Sequence, residues 1–142
     1  MIRVQVNRGL DGKLKKLEEL VENFQEEYLR GMSNQIVLRS PVDTGTYMDG
    51  HHVGTTAVAA TDSSRNKPRQ QPYGPHANDA LYRLYMMASR IPQNTSQVIF
   101  SNSAFHADVV EYELGYAPMR SAAREHNRIA SEAEARARAR TR

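Results

Sequence analysis

Between Leu10 and Ile36 the apolar residues recur every third or fourth position: Leu10, Leu14, Leu17, Val21, Phe24, Tyr28, Met32 and Ile36. Side chains at that spacing share one face of a helix, while Lys15, Lys16, Glu18, Glu19, Glu22, Glu26 and Glu27 fall mostly elsewhere on the cylinder. The pattern predicts an amphipathic helix of about 28 residues, a rod near ~40 Å at about 1.5 Å per residue. Gly31 inside it costs about 1 kcal/mol relative to alanine, which eight periodic positions tolerate. Pro41 disfavours helical backbone at Ser40, so the helix stops there. Ahead of it, Ile2, Val4 and Val6 alternate with polar residues as a short half-buried strand, broken by Arg8, Gly9 and Asp11.

Beyond the helix the pattern shortens. Asp43, Thr44 and Gly45 supply an acceptor, a hydroxyl and a residue free to take positive φ, which together make a turn. His52, Val53, Thr55, Thr56 and Val58 then favour a strand, with Gly54 a position for a bulge. Residues 62–77 hold three prolines and almost nothing apolar, an extended loop of a length that is usually functional or disordered. Asn78 reads as the N-cap of a helix with Leu81, Leu84, Tyr85 and Ala88 on one side, closed by Pro92. A strand follows, with Val98 and Phe100 on one face and Ile99 on the other. Residues 104–116 read as a short helix ended by Gly115. The last segment, after Pro118, is rich in alanine and arginine, with Met119, Ala122, Ala123, Ile129 and Ala130 as its few packing positions. Its last ten residues have no large apolar side chain, so they are expected to be frayed or solvent-exposed unless a partner holds them. These elements predict an α+β fold: a small antiparallel or mixed sheet packed by one long N-terminal helix and shorter helices. Residues 1–135 form the single domain and 136–142 a basic tail.

Length and composition limit the chemistry. At 142 residues the chain suits one modest core. Without cysteine it has no disulfide, thiolate nucleophile or thiolate metal site. No run approaches about 18 apolar residues, and the first residues lack the apolar segment of a secretory signal, so a soluble protein made in the cytoplasm is expected. Net charge is +3, yet residues 118–142 hold seven arginines against three glutamates, so that segment is +4 and the other 117 residues carry −1.

Five histidines invite a search for metal ligands. His51 and His52 are adjacent, and on a strand they point to opposite faces. His51 with Asp49 offers two ligands, which is too few for a metal site. His106 and Glu111 are five apart where a helix needs three or four, and His126 lacks a paired histidine. Asp43 and Asp49 have the types for an acid–base pair, and with His51 for a hydrolase, but every neighbour is a turn residue, so turn-capping is the stronger reading. No nucleophile elbow and no glycine-rich phosphate loop occurs. The chain therefore reads as a non-enzyme without metal or cofactor. Its arginine tail has three readings: a phosphate-backbone contact, a solvated helix end favoured by the dipole, or a dock on an acidic surface of a neighbouring subunit. No aromatic residue interleaves Arg136, Arg138 and Arg140, so base stacking is not expected.

The long helix running into "RSPVDTGTYMDGHHV" resembles the neck, tail-completion or minor tail proteins of tailed bacteriophages, in which a helix ends in a Ser-Pro-Val-Asp-Thr-Gly-like turn before a strand. A second matching stretch is "VIFSNSAFHADVVEYELGY", a strand, an Asn turn and a short helix. The family commonly ends this helix in Glu-Tyr-Gly, whereas here Glu113 and Leu114 stand between Tyr112 and Gly115. The likeness spans most of residues 10–135 in order and spacing. It implies a structural virion subunit, a closed sixfold or twelvefold homo-oligomeric ring joining portal or connector to tail, with those proteins and packaged DNA as contacts and no membrane. On that reading the interface candidates are Asp43, Thr44, Gly45 and Tyr47 at the turn, Pro72 and Tyr73 in the loop, Glu111 and Tyr112 at the helix end, and Arg136, Arg138 and Arg140 in the tail. Tyrosines 47, 73, 82, 85, 112 and 116, with arginine nearby, match the composition of interfaces. The alternative is a small nucleic-acid-binding regulator that uses the arginine-rich tail.

Overall fold

The computed structural model describes residues 8–41, 46–59, 73–93, 95–104, 107–113 and 116–141. The first helix, α1, runs Arg8–Leu38, 31 residues or about 46 Å, so the long periodic segment forms one continuous element. It closes as the proline predicts: the Ser40 amide turns back to the Val37 carbonyl at 3.1 Å, and the Ser40 hydroxyl donates to the Ile36 carbonyl at 2.7 Å. Then come α2 (Thr46–Asp49), β1 (His51–Gly54), α3 (Tyr73–Ser89), β2 (Ile99–Asn102), α4 (Ala107–Tyr112), α5 (Pro118–Arg124) and α6 (His126–Arg140).

The fold is α+β. β1 and β2 pair antiparallel, with His51 opposite Asn102 and Gly54 opposite Ile99, and the helices pack around this small sheet. The ladder runs in register through Gly54, so no bulge forms, and the strand stops there instead of continuing to Val58. His51 and Val53 are buried while His52 and Gly54 are half-buried, the alternation expected of a strand. The strand expected at residues 2–6 lies outside the described residues.

Two boundaries differ from expectation. Helix α3 begins at Tyr73, five residues before Asn78, which is an exposed position within the helix. Pro75 falls in the first turn, where its missing N–H would have had no helical acceptor, so it does not break the helix. Residues 73–77 are therefore helical, and of the expected loop only its earlier part lies outside the described residues. The burial face of α3 is Ala77, Ala80 and Leu84, with Leu81, Met87 and Ala88 beside them. The C-terminal segment is two helices, broken at Glu125, rather than one.

The core lies where the C-terminal half of α1 meets α3 and the sheet. Leu29 and Val37 of α1, Met48, Val53, Ala77, Ala80, Leu84 and Ile91 form one cluster, with Val98 and Phe100 against it. Tyr47, Ala104 and Val110 form a second. Expected fraying of the last ten residues is overturned, since α6 is helical to Arg140 and runs back along α1, while residues 134–136 and 138–140 are solvent-exposed as expected. Ile129, Ala133 and Ala137, four apart, are all buried. Small residues bring two helix axes close, and Gly31 is where this happens: a Cβ there would stand 2.7 Å from Ile129 Cγ2.

Candidate assembly surface

The two halves of α1 are covered unequally. The helix packs against α3, α5 and α6, and the end of α6 reaches back as far as Lys13, Lys16, Leu17 and Leu20. Residues 12–19 are all exposed, and Leu14, Leu17 and Val21 are 49%, 56% and 53% accessible. Leu10, Leu14, Leu17, Val21, Phe24 and Tyr28 alternate steps of four and three, the seven-residue repeat by which one helix packs along another. In the C-terminal half that seam is half-buried by the chain itself, Phe24 stacking on Tyr28 and Tyr28 meeting the His126 ring edge-on. In the N-terminal half the seam stays about half-exposed, with only the end of α6 reaching Leu17 among the described residues. Full burial of a leucine or valine side chain stabilises by about 1.5–3 kcal/mol, so covering three half-exposed ones yields about 3 kcal/mol per copy.

The tail arginines are largely spoken for within the chain. Arg128 pairs with Glu125 at 2.7 Å and Glu132 at 3.0 Å, and Arg138 pairs with Glu134 at 2.9 Å. Arg140 reaches across to α1, pairing with Glu27 at 2.8 Å and Glu26 at 3.1 Å. Asn23 donates to Thr141 at 2.9 Å beside it. The acidic surface that receives Arg140 thus belongs to the same chain. Arg136 is exposed and has no acidic partner among the described residues.

Of the remaining interface candidates, Tyr47, Glu111 and Tyr112 line one pocket beside Asn102 and Arg120. Asp43, Thr44, Gly45 and Pro72 lie outside the described residues, and Tyr73 begins α3. Tyr47 is 4% exposed and packs edge-on against His51, so it serves the core. Its phenol is pushed above its ordinary pKa, chiefly by burial and further by the Glu111 charge. Glu111 is buried too. Its carboxylate accepts the backbone N–H groups of Met119 at 3.1 Å and Arg120 at 2.9 Å. These are donors of the first turn of α5, whose N-cap residue, Ala117, has no side chain to cap them and sits at φ 41°. Arg120 also donates to the Glu111 backbone carbonyl and lies over the exposed Tyr112 ring at 4.7 Å. Of the predicted residues whose side chains the structure describes, Tyr112 and Arg136 remain on the surface without an ion pair.

His51 sits in a network that sequence reading missed. Its ring lies 2.7 Å from Ser40 Oγ through Nε2 and 3.2 Å from Asn102 Nδ2 through Nδ1. Hydroxyl, imidazole and amide have the outline of a nucleophile, a base and an orienting group. The protons run the other way. Ser40 gives its own proton to the Ile36 carbonyl, so Nε2–H donates to Ser40 and Nδ1 accepts from Asn102. Ser40 is 3% exposed. Asn102 also donates to the Tyr47 carbonyl and accepts from the Ala104 amide. The network ties the end of α1 to α2, β1 and β2. Burial, and secondarily the nearby Arg83 charge, lowers the His51 pKa to about 4. Asp49 pairs instead with Arg83 at 3.1 Å, and Asp43 and His106 lie outside the described residues. Among the described residues no three His, Asp or Glu side chains gather into a metal site, and no helix is long and apolar enough to cross a membrane.

No protein-family model, curated protein or solved structure matches this chain.

Proposed function

We propose that the protein is a structural subunit of a tailed-phage neck, working as a closed homo-oligomeric ring between portal or connector and tail. The observation that carries the reading is the half-exposed apolar seam of α1 at Leu14, Leu17 and Val21, a helix face that the described residues leave largely uncovered. A ring of identical copies needs one face of each subunit to meet a different face of the next, and an overhanging helix supplies a protruding face. The resemblance at residues 39–53 and 98–116 points the same way.

The rival, a nucleic-acid-binding regulator, loses weight because Arg128, Arg138 and Arg140 are ion-paired inside the chain. Each pairing lowers the number of phosphates the tail can neutralise. Removing residues 131–142 would also strip a helix from α1, so the cleaner discriminator is Arg124→Gln with Arg136→Gln. The regulator should then lose DNA affinity and salt dependence. The neck protein should keep assembling. Purified phage particles containing the protein in stoichiometric, multi-copy amounts are the expected result. Absence from particles, with a monomer that turns over a small molecule, overturns the proposal.

A further inference from the structure

Around α1 each residue advances about 100°, which places opposite charges on the two sides of the bare seam. Leu14 and Val21 occupy one core position of the repeat and Leu17 the other. Lys13 and Leu20 then flank it on one side, Glu18 and Gln25 on the other. Further round the cylinder, Lys16 lies on the lysine side, and Glu22 lies on the glutamate side together with Lys15. The lysine side is also a groove, because the end of α6 comes alongside it. Leu17 and Leu20 form its floor, with Lys13, Lys16, Arg138 and Thr141 around it. None of Lys13, Lys16, Glu18 or Glu22 has an ion-pair partner among the described residues.

An apolar-floored groove with a basic rim therefore lies next to an apolar ridge with an acidic edge, on one helix. The two complement each other only between copies. We propose that the bare half of α1 is covered by the same segment of a second copy lying parallel to it, the Lys13–Lys16 side of the groove on one copy receiving the Glu18–Glu22 edge of the next. Parallel packing sets Lys13 of one helix against Glu18 of its neighbour, the pairing of the two flanks across a parallel seam. Antiparallel packing sets each flank against its like, lysine side to lysine side and glutamate side to glutamate side. Two copies that pair both flanks reciprocally close as a dimer, whereas copies that use one flank for each neighbour repeat the contact and close into a ring when the rotation allows. Parallel helices from successive copies then stand side by side about the ring axis. This deepens the ring reading above and rests on it for the closure, though the contact itself requires only a second copy.

The test uses the full chain, followed by sedimentation velocity from the micromolar range to several hundred micromolar. Wild type should associate. Leu17→Glu puts a charge into the seam and should weaken association by at least about tenfold, with helix content and thermal unfolding of the monomer unchanged because the residue is exposed. Lys13→Glu and Glu18→Lys should each weaken it as well. An equimolar mixture of those two variants, or both changes in one chain, should restore it, since each reversed charge then meets its opposite. Restoration also carries the test if Leu17→Glu disturbs folding. A wild type that stays monomeric throughout, association indifferent to Leu17→Glu, or charge reversals that are not rescued by their mixture would each overturn this surface. Self-association with rescue, but no copies in phage particles, would leave the surface standing and sink the neck assignment alone.

Discussion

Two glycines nineteen residues apart on α1 stand in opposite surroundings. Around Gly12 nothing lies within 4 Å of where a Cβ would be, whereas at Gly31 a Cβ would press on Ile129 at 2.7 Å. The same contrast holds for the apolar residues near them: Ile36 is 1% exposed and Leu17 is 56% exposed. One uninterrupted helix thus contains a segment that builds the core and a segment that the described residues leave about half-exposed. The lesson is that periodicity reports a face to be buried without saying what buries it.

The sharpest way to break the comparison is a pair of truncations. Ile36→Ala should cost about 2–5 kcal/mol of stability, as large-to-small changes in a filled core do. Leu17→Ala should stay within about 0.5 kcal/mol for the monomer. Urea unfolding at a concentration where only monomer is present measures both. Equal costs would mean that the N-terminal half is packed after all.

The covered half should also be the pH-sensitive one. Folding holds His51 near pKa 4 against an ordinary value of 6.5, so the unfolded chain binds its proton first. The stability of the neutral, hydrogen-bonded ring is complete above about pH 6.5, falls as pH drops, and levels off near pH 4 after a loss of about 3 kcal/mol. Thermal unfolding between pH 4 and 7 should show that slope, and His51→Gln should flatten it at some cost in overall stability.

Gly31→Ala gains about 1 kcal/mol of helix propensity but forces α6 away from α1, for a net loss of about 1–2 kcal/mol from overpacking. Gly12→Ala should do the reverse, stabilising by up to about 1 kcal/mol, because nothing opposes the added methyl. Opposite signs in thermal melts of these two variants are the expected outcome. Smallest of all, Arg140→Gln should cost under about 1 kcal/mol, since its pairs with Glu26 and Glu27 are partly exposed. Its effect should appear chiefly as faster amide exchange at the end of α6.

Local rules reached α1, the helical stop near Ser40 and the opposite faces of His51 and His52, because each depends on neighbours within a turn or a strand. They missed the start of α3, where Pro75 was read as part of a loop although the first turn of a helix accepts it. They also misjudged the last ten residues. A run without large apolar side chains looks unable to pack, yet Ala133 and Ala137 are buried against α1.

The amino-acid order alone determined that a long amphipathic helix exists, that charge concentrates near the C-terminus, and that the chain has no thiol chemistry. Only the tertiary structure decided which stretch of that helix is covered, which glutamates neutralise Arg140, and that Ser40, His51 and Asn102 meet. Those outcomes depend on residues between 51 and 114 positions apart coming together, or, for Ser40 and His51, on how the chain turns between them. Helical spacing is set within a turn, whereas partnership across the fold is set by which surfaces are left to bury once every local element has formed.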